Sequence, residues 1–139
     1  MLTAADMMSR DPVAARMTDS LSTAVKLFQT HSVHHLPVVE RGKLVGLVTR
    51  EDCLRARVNG AHAGTVLKDL MTHPVLTVTP ETPLRATLDR LLERRFGCLP
   101  VVEADGALVG IITSTDFARM SRHHIDELDA EELAREWEH

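Results

Sequence analysis

Short apolar runs and helical stripes follow one another along the chain in an order that occurs twice. Each half contains two short runs rich in Val, Ile and Leu, which are typical of β-strands. Gly42 lies between the runs of the first half and Asp105-Gly106 between those of the second, and both favour a hairpin turn. Before each pair of runs, apolar residues recur every three or four positions, which predicts an amphipathic helix. The runs are 36–39 with 44–48 and 99–102 with 108–112; the stripes are Leu21, Val25 and Phe28, then Leu84, Leu88, Leu91 and Leu92.

Polar residues mark where the predicted helices begin. Thr3 and Asp6 have the spacing of a capping box, with Asp in place of the more usual Glu, and predict a short helix at the start of the chain. Ser20 precedes the first stripe. Thr82-Pro83 precedes the second, and combines an N-cap residue with a proline suited to the first helical position.

The same ordered set of short sequences occurs twice, at an offset of 62 to 64 residues. Leu-Pro-Val-Val-Glu stands at 36–40 and at 99–103. Leu-Val-Gly followed by two apolar residues and Thr stands at 44–49 and at 108–113, and an Asp follows three residues after each Thr, at Asp52 and Asp116. Upstream, Asp6-Met7-Met8 matches Asp69-Leu70-Met71. The chain is therefore predicted to be a tandem repeat of two similar units.

The repeat predicts the domain organisation. Residues 1–60 form the first repeat, 57–65 the linker that leads out of it, and 66–120 the second repeat. Residues 121–139 have no counterpart in the repeat, and we expect them to form an acidic, helical C-terminal extension. A unit of about 60 residues buries little surface alone, so we expect the two repeats to share one core.

Composition narrows the class of protein. The chain has 139 residues, 44 % of them hydrophobic and only 3 % aromatic, which predicts an aliphatic core. The net charge of −4 disfavours nucleic acid as a partner, because phosphate binding needs a basic surface. No apolar run approaches a membrane span of ~20 residues, and no apolar signal segment stands at the start. Cys53 and Cys98 have neither metal nor disulfide spacing. We expect a cytoplasmic protein with reduced thiols.

The turn from the last strand of each repeat into the next helix carries the candidate chemistry. Gly46 and Gly110 are each followed by two apolar residues, a Thr and, three positions later, an Asp. Thr-x-x-Asp at a helix start is a capping box, and the Asp suits the positive end of the helix dipole. The same geometry also suits a nucleotide, because helix N-terminal N–H groups bind phosphate and a carboxylate accepts ribose hydroxyls. Either glycine would permit close approach of the backbone to a ligand. The spacing is compatible with both interpretations.

Three features taken together resemble the CBS domain, the repeat of the cystathionine-beta-synthase type. They are the Leu-Pro-Val-Val strand, the Thr-x-x-Asp turn, and the sequence Thr-Val-Thr-Pro-Glu-Thr-Pro-Leu at 77–84. The resemblance covers about residues 5–56 and 67–120. It implies an α/β (α+β) fold of two pseudo-symmetric repeats, each with a small three-stranded sheet packed by helices. Such pairs commonly bind AMP, ADP, ATP, S-adenosylmethionine or NAD in the cleft between the repeats.

The resemblance also implies two ligand sites, each with the Thr and Asp of one repeat and walls from the other. What we call the first site would consist of Thr49, Asp52, Thr77, Gly97 and Cys98. The second site would consist of Thr113, Asp116, Ala15, His34 and His35. The sites are predicted to differ in affinity, because Ala15 stands where the second repeat has the hydroxyl of Thr77.

Other candidate chemistry is weaker. His31, His34 and His35 invite a metal interpretation, but no Cys or carboxylate supplies the remaining ligands at an obvious spacing, so we expect no metal site. No set of nucleophile, base and orienting group is visible, and no required cofactor is indicated, so we expect no enzyme.

The sequence therefore favours a regulatory module that binds an adenosine ligand and signals through rearrangement of a dimer. We expect a homodimer, since the family pairs through helix faces, and an effector protein of unknown identity is the other expected partner. The alternative is a structural or protein-interaction module in which the Thr-x-x-Asp turns are caps alone.

Overall fold

The computed structural model describes residues 1–93 and 97–137, which form two similar α/β units. The first unit contains β2 (Ala15–Arg16), α2 (Leu21–His31), β3 (His35–Glu40), β4 (Lys43–Thr49) and α3 (Arg50–Val58). The second contains α4 (Leu84–Glu93), β5 (Cys98–Val102), β6 (Leu108–Thr113) and α5 (Ser114–Trp137). Three short elements lie ahead of the units in the chain: α1 (Ala4–Met7), β1 (Ser9–Arg10) and a 3₁₀ helix (Leu67–Asp69).

Each unit is built on a three-stranded sheet. One sheet has the order β2-β3-β4, with β2 parallel to β3 and a β3–β4 hairpin. The other has the order β1-β6-β5, and all of its pairs are antiparallel. The two hairpins also touch each other, since Leu44 donates to Gly106 O and Leu108 donates to Gly42 O. The predicted fold class, with a small sheet in each repeat, is confirmed.

The helix starts are largely those that the polar residues predict. Thr49 accepts from the Asp52 N–H while Asp52 accepts from the Thr49 N–H, which is a complete capping box, and Ser20 caps α2. The prediction at Thr82-Pro83 is wrong by one residue, because α4 begins at Leu84 instead of Pro83. The Thr82 hydroxyl instead accepts from the Thr79 N–H at 3.0 Å and stabilises the preceding turn.

The segments that precede the units are exchanged between them. Strand β1 comes from the first repeat in the chain, yet it pairs with β6 of the second unit, with Ser9 opposite Ile111. Conversely, Thr72 from the start of the second repeat bridges to Leu47 in β4. Instead of one shared core, the described residues form two clusters, and each is completed from the other repeat. Leu67 is fully buried in the first cluster, and Ala4 and Met7 are buried in the second.

The two motif glycines make room for this exchange. A Cβ on Gly46 would lie 2.9 Å from Met71 Cγ, and a Cβ on Gly110 would lie 2.6 Å from Met8 Sδ. Both methionines belong to exchanged segments, so each glycine sits under a side chain from the other repeat. The close approach expected at these glycines is thus made by methionine side chains.

The substitution Gly110→Ala is expected to destabilise the protein by about 1–3 kcal/mol, as overpacking of an interior typically does. The added Cβ would meet Met8 Sδ and also the Ser9 carbonyl oxygen at 3.0 Å. Gly46→Ala should cost less, because its three nearest atoms all belong to the flexible side chain of Met71. Urea denaturation of both variants tests this order, and equal losses would contradict it.

Candidate functional site

The strand-to-helix turn from β6 into α5 places a carboxylate among four hydrogen-bond donors. Asp116 Oδ2 accepts from the Thr113 N–H at 2.8 Å and from Thr113 Oγ1 at 3.2 Å. Asp116 Oδ1 accepts from Ser9 Oγ at 2.8 Å and from Arg119 Nη1 at 3.2 Å. Asp116 is only 4 % exposed, and this full set of donors explains how a carboxylate is tolerated there.

A cleft of about 550 Å³ opens beside this turn and is lined by both repeats. Thr113 and Asp116 border it from the second unit, and His34 and His35 border it from the loop and strand that follow α2. Four of the five residues predicted for the second site therefore line one cleft. Its remaining wall is formed by Ser9, Arg10, Asp11, Pro12, Val13, Ser32, Val33, Ile111, Ser114, Thr115 and Arg119.

Ala15 is the predicted residue that does not line this cleft. It is 2 % exposed, pairs with Val38 and belongs to the first core cluster. The chain reaches the cleft two residues earlier, and Pro12 and Val13 form the wall instead. A small apolar residue suits the buried face of β2, which is why alanine stands there.

Cationic side chains line the cleft around the carboxylate of Asp116. Arg10 and Arg119 line it together with the imidazoles of His34 and His35. Its floor adjoins the first turn of α5, where the helix dipole favours an anion. Asp116 contributes hydrogen-bond acceptors suited to hydroxyl groups. The arrangement can hold a ligand that combines hydroxyls with a negatively charged group.

The first site is only partly assembled by the described residues. Thr49 and Asp52 stand together in the capping box at the start of α3, and Asp52 Oδ1 also accepts from Arg55 Nη1 at 3.4 Å. Thr77 is half-buried, and its carbonyl oxygen accepts from Arg90 Nη1 at 3.2 Å.

Gly97 and Cys98 contact the turn of their own repeat. The Gly97 carbonyl oxygen accepts from the Ser114 N–H at 3.1 Å, and its φ of +58° is a left-handed conformation that favours glycine. Cys98 lies opposite Thr113 in the antiparallel pairing of β5 with β6, and it is 4 % exposed. Residues 94–96, which directly precede them, lie outside the described residues. The grouping of these two with Thr49 and Asp52 remains a prediction.

Sequence reasoning missed Ser9, Arg10 and Arg119 as cleft residues. Arg119 stands three positions after Asp116, the spacing of an ion pair on one helix face, so a signal for it was present. No signal in the sequence indicated Ser9 or Arg10, because only the exchange of β1 into the second sheet brings them to the cleft.

Both cysteines are buried, and burial shifts their titration. Burial, and secondarily the charge of Asp116, raises the pKa of the Cys98 thiol to about 12. Burial and then Asp52 raise the pKa of Cys53 to about 11. The native thiols therefore stay protonated at neutral pH, where a thiol is a poor nucleophile.

We expect native Cys98 and Cys53 to resist a disulfide-exchange reagent at pH 8, and both to react once the chain is unfolded in guanidinium. Since the unfolded thiols ionise near pH 9, the native state binds more protons between about pH 9 and 12, and its stability should fall as pH rises through that window. Rapid labelling of the folded protein would contradict this environment.

Across residues 1–93 and 97–137, no group of three His, Cys, Asp or Glu side chains is placed to hold a metal ion. Within those ranges no helix is both long and apolar enough to cross a membrane.

The fold and the paired turns define a class. The sequence profile described as "CBS domain" matches residues 4–59 and again residues 67–123, which together make up most of the chain. This protein therefore belongs to the CBS domain family, and it contains a tandem pair of the domain.

Solved structures of CBS pairs superpose over nearly the whole chain. AcuB of Vibrio cholerae, described as an acetoin utilization protein, gives a TM-score of 0.84 at 32 % identity, covering 94 % of this chain and 97 % of that one. CBSX2, a CBS-pair protein of Arabidopsis thaliana, was solved in complex with AMP and gives 0.81 at 32 % identity, covering 88 % and 98 %. The CBS pair of protein MJ0100, with 5′-methylthioadenosine and S-adenosyl-L-methionine, gives 0.80 at 28 %, covering 89 % and 98 %.

Curated relatives carry the matching region as a minor part. A homoserine O-acetyltransferase of Methanococcoides burtonii is 38 % identical over 84 % of this chain but only 23 % of its own length. An L-aspartate semialdehyde sulfurtransferase of Methanocaldococcus jannaschii is 32 % identical over 83 % of this chain and 22 % of its own. The chain thus spans less than a quarter of these enzymes.

Proposed function

We propose that this protein is a regulatory module, without catalytic activity of its own, that binds an adenosine ligand between its two repeats. The observation that carries the proposal is the cleft at Thr113 and Asp116, because it joins the hydroxyl-binding turn of one repeat to His34 and His35 of the other. A ligand there touches both repeats, so its binding free energy depends on their relative arrangement. Differential affinity for two arrangements is what a sensor requires.

The chemistry of the cleft supports an adenosine ligand that bears charge. Its volume of about 550 Å³ falls within the range of about 300–1,000 Å³ that small-molecule sites occupy. Asp116 can accept from ribose hydroxyls that replace its present donors, and the α5 N-terminus with the surrounding Arg and His side chains suits phosphate. CBSX2 and the MJ0100 pair, which share the fold at 28–32 % identity, bind adenosine compounds.

The test is calorimetric titration with AMP, ADP, ATP, S-adenosylmethionine and NADH. We expect at least one of them to bind more tightly than about 1 mM, which corresponds to roughly −4 kcal/mol. Adenine and inorganic phosphate serve as controls, and each should bind more weakly than the whole ligand. If all five compounds fail at millimolar concentration, the sensor function is wrong.

Signalling is proposed to pass through a homodimer that an effector protein reads. Helix α3 exposes Leu54 and Val58, which lie one turn apart on one face and are 58 % and 86 % exposed. Leu54 also borders a groove of about 250 Å³ whose wall includes Val25 and Phe28. Exposed apolar residues beside a groove are typical of a protein-binding surface.

The double variant Leu54→Glu/Val58→Glu is expected to dissociate such a dimer, because two carboxylates would be desolvated in the interface of each protomer. Sedimentation velocity should show the wild type as a dimer and this variant as a monomer. Lys43→Glu on the β3–β4 hairpin makes the same change of net charge and should remain dimeric. A wild type that sediments as a monomer would remove the dimer from the proposal.

The alternative function is a structural or interaction module that binds no nucleotide. It is favoured by one observation: the capping box at Thr49 and Asp52 is complete without any ligand. On that interpretation Asp52→Ala and Asp116→Ala cost about 0.5–2 kcal/mol of folding stability, as caps do, and alter nothing else. Under the proposed function they also remove stabilisation by the ligand.

A further inference from the structure

Ser9 ties the exchanged N-terminal segment to the carboxylate of the second site. It opens β1, and its Oγ donates to Asp116 Oδ1 at 2.8 Å across 107 positions of the sequence. Ser9 also lines the cleft. This hydrogen bond joins one repeat's leading segment to the helix start of the other, at the place where a ligand is proposed to bind.

The bond completes the acceptor capacity of Asp116. A carboxylate has about four lone-pair sites. The Thr113 N–H and hydroxyl occupy Oδ2, while Ser9 Oγ and Arg119 Nη1 occupy Oδ1. The Thr113 N–H belongs to the helix cap, so Oδ2 stays engaged. A vicinal diol that places both hydroxyls on Oδ1 must therefore replace both of its present donors.

The two donors on Oδ1 differ in how firmly they are held. The Arg119 side chain is 69 % exposed, so it can turn into solvent at small cost. Ser9 is fixed by the pairing of β1 with β6, where it lies opposite Ile111. Replacement of Ser9 therefore requires a shift of β1 or of the side chain within it.

The other repeat lacks this arrangement. Among the described residues, the Asp52 carboxylate accepts only from the Thr49 N–H and, at 3.4 Å, from Arg55 Nη1. The position equivalent to Ser9 is Thr72, which bridges to Leu47, and its hydroxyl has no hydrogen-bond partner among the described residues. The two carboxylates thus have the same acceptor capacity but differ in how much of it is occupied, with four donors on Asp116 and two on Asp52.

We propose that Ser9 is a latch on the second site: it holds Asp116 Oδ1 when the cleft is empty, and a ligand with a ribose diol binds by displacing it. This inference rests on the proposed function. Its first consequence is lower affinity of the second site, since ligand binding breaks an existing bond. Its second consequence is that occupancy loosens β1, and the ligand thereby acts on the segment exchanged between the repeats.

Calorimetry tests the first consequence, the lower affinity of the second site. The protein carries Asp52→Asn throughout, which disables the first site, so that only binding at the second site is measured. Adding Ser9→Ala should tighten AMP binding by about five-fold, the equivalent of one ordinary hydrogen bond. It should leave the affinity for 2′,3′-dideoxy-AMP unchanged, because that ligand has no diol to displace the latch. Thr72→Val, the matched change in the other repeat, should alter neither affinity.

Amide hydrogen exchange tests the second consequence. Peptides that cover residues 8–12 should exchange faster when AMP is added to the Asp52→Asn protein. In the Ser9→Ala variant they should exchange fast already, and AMP should change them little. Protection of these peptides by AMP would mean that the bond persists in the complex.

The possible results separate the latch from the function beneath it. If AMP binds and Ser9→Ala weakens or does not change its affinity, Ser9 contacts the ligand or stays on Asp116, and the latch is wrong. If neither protein binds any adenosine ligand, the proposed function fails and the latch fails with it. Binding by Ser9→Ala alone would support both.

Discussion

Replacing Leu67 by alanine should lower the free energy of unfolding by about 2–5 kcal/mol, as expected for a fully buried leucine. Leu67 lies at the start of the second repeat, yet its side chain is 0 % exposed in the core cluster of the first, which also contains Leu21 and Phe28. Its N–H donates to the Asp19 carbonyl oxygen at 2.9 Å, which fixes the segment in place. Urea denaturation followed by circular dichroism measures the loss.

Leu54→Ala is the matched control, because Leu54 is 58 % exposed and its truncation should cost far less. Met7→Ala makes the reciprocal test, since Met7 is 6 % exposed in the cluster of the second unit. Because each core is completed by the other repeat, both variants should still unfold in a single transition. A separate early transition in either variant would show that the repeats fold independently of the exchange.

The double variant Asp52→Asn/Asp116→Asn should abolish stabilisation by an adenosine ligand. At a hundred times its dissociation constant, a ligand adds about 2.7 kcal/mol to the stability of the native protein. For a chain of this size that corresponds to roughly 5–10 °C in melting temperature. Asparagine keeps an acceptor for the cap N–H but loses the charge that strengthens hydrogen bonds from ribose hydroxyls, so the wild-type rise should disappear.

Asp69→Asn/Asp89→Asn makes the same charge change at two exposed positions and should keep the full rise. Differential scanning fluorimetry with AMP compares the three proteins in one experiment. A rise that survives in the Asp52/Asp116 variant would place the ligand elsewhere. A rise lost in the control as well would point to net charge as the cause.

Much of the fold could be predicted from the sequence, because the repeat and the local signals agree. The hairpins follow from paired apolar runs, and the starts of α2 and α3 follow from Ser20 and Thr49. The exchange of leading segments could not be predicted. The four residues of α1 carry a capping signal that fixes a helix start, but nothing in so short an element says which of two similar cores it joins.

Part of the candidate site could likewise be predicted from the sequence, and part could not. Thr113, Asp116, His34 and His35 could be placed in one cleft because family resemblance says that the sites form across repeats. Ala15 lies on the buried face of β2, a placement that the resemblance alone does not predict. Ser9 escaped notice because its role depends on a contact between residues far apart in the sequence, which no local pattern records.

The pairing of repeats in one cleft also explains why equal turns need not give equal sites. Both repeats contain Thr-x-x-Asp, but Asp116 meets Ser9 and Arg119 while Asp52 meets Arg55. The walls differ as well, since His34 and His35 face the turn of the second repeat. We therefore expect two dissociation constants in a full titration, with the weaker one assigned to the second site.

A nitrogen–proton correlation spectrum of the labelled protein, titrated with AMP, tests the central claim that the ligand lies between the repeats. The amides of His34 and His35 in the first repeat and those of Thr113 and Asp116 in the second should shift together, with one dissociation constant for this cleft. Shifts confined to one repeat, or no shifts at millimolar AMP, would contradict the account.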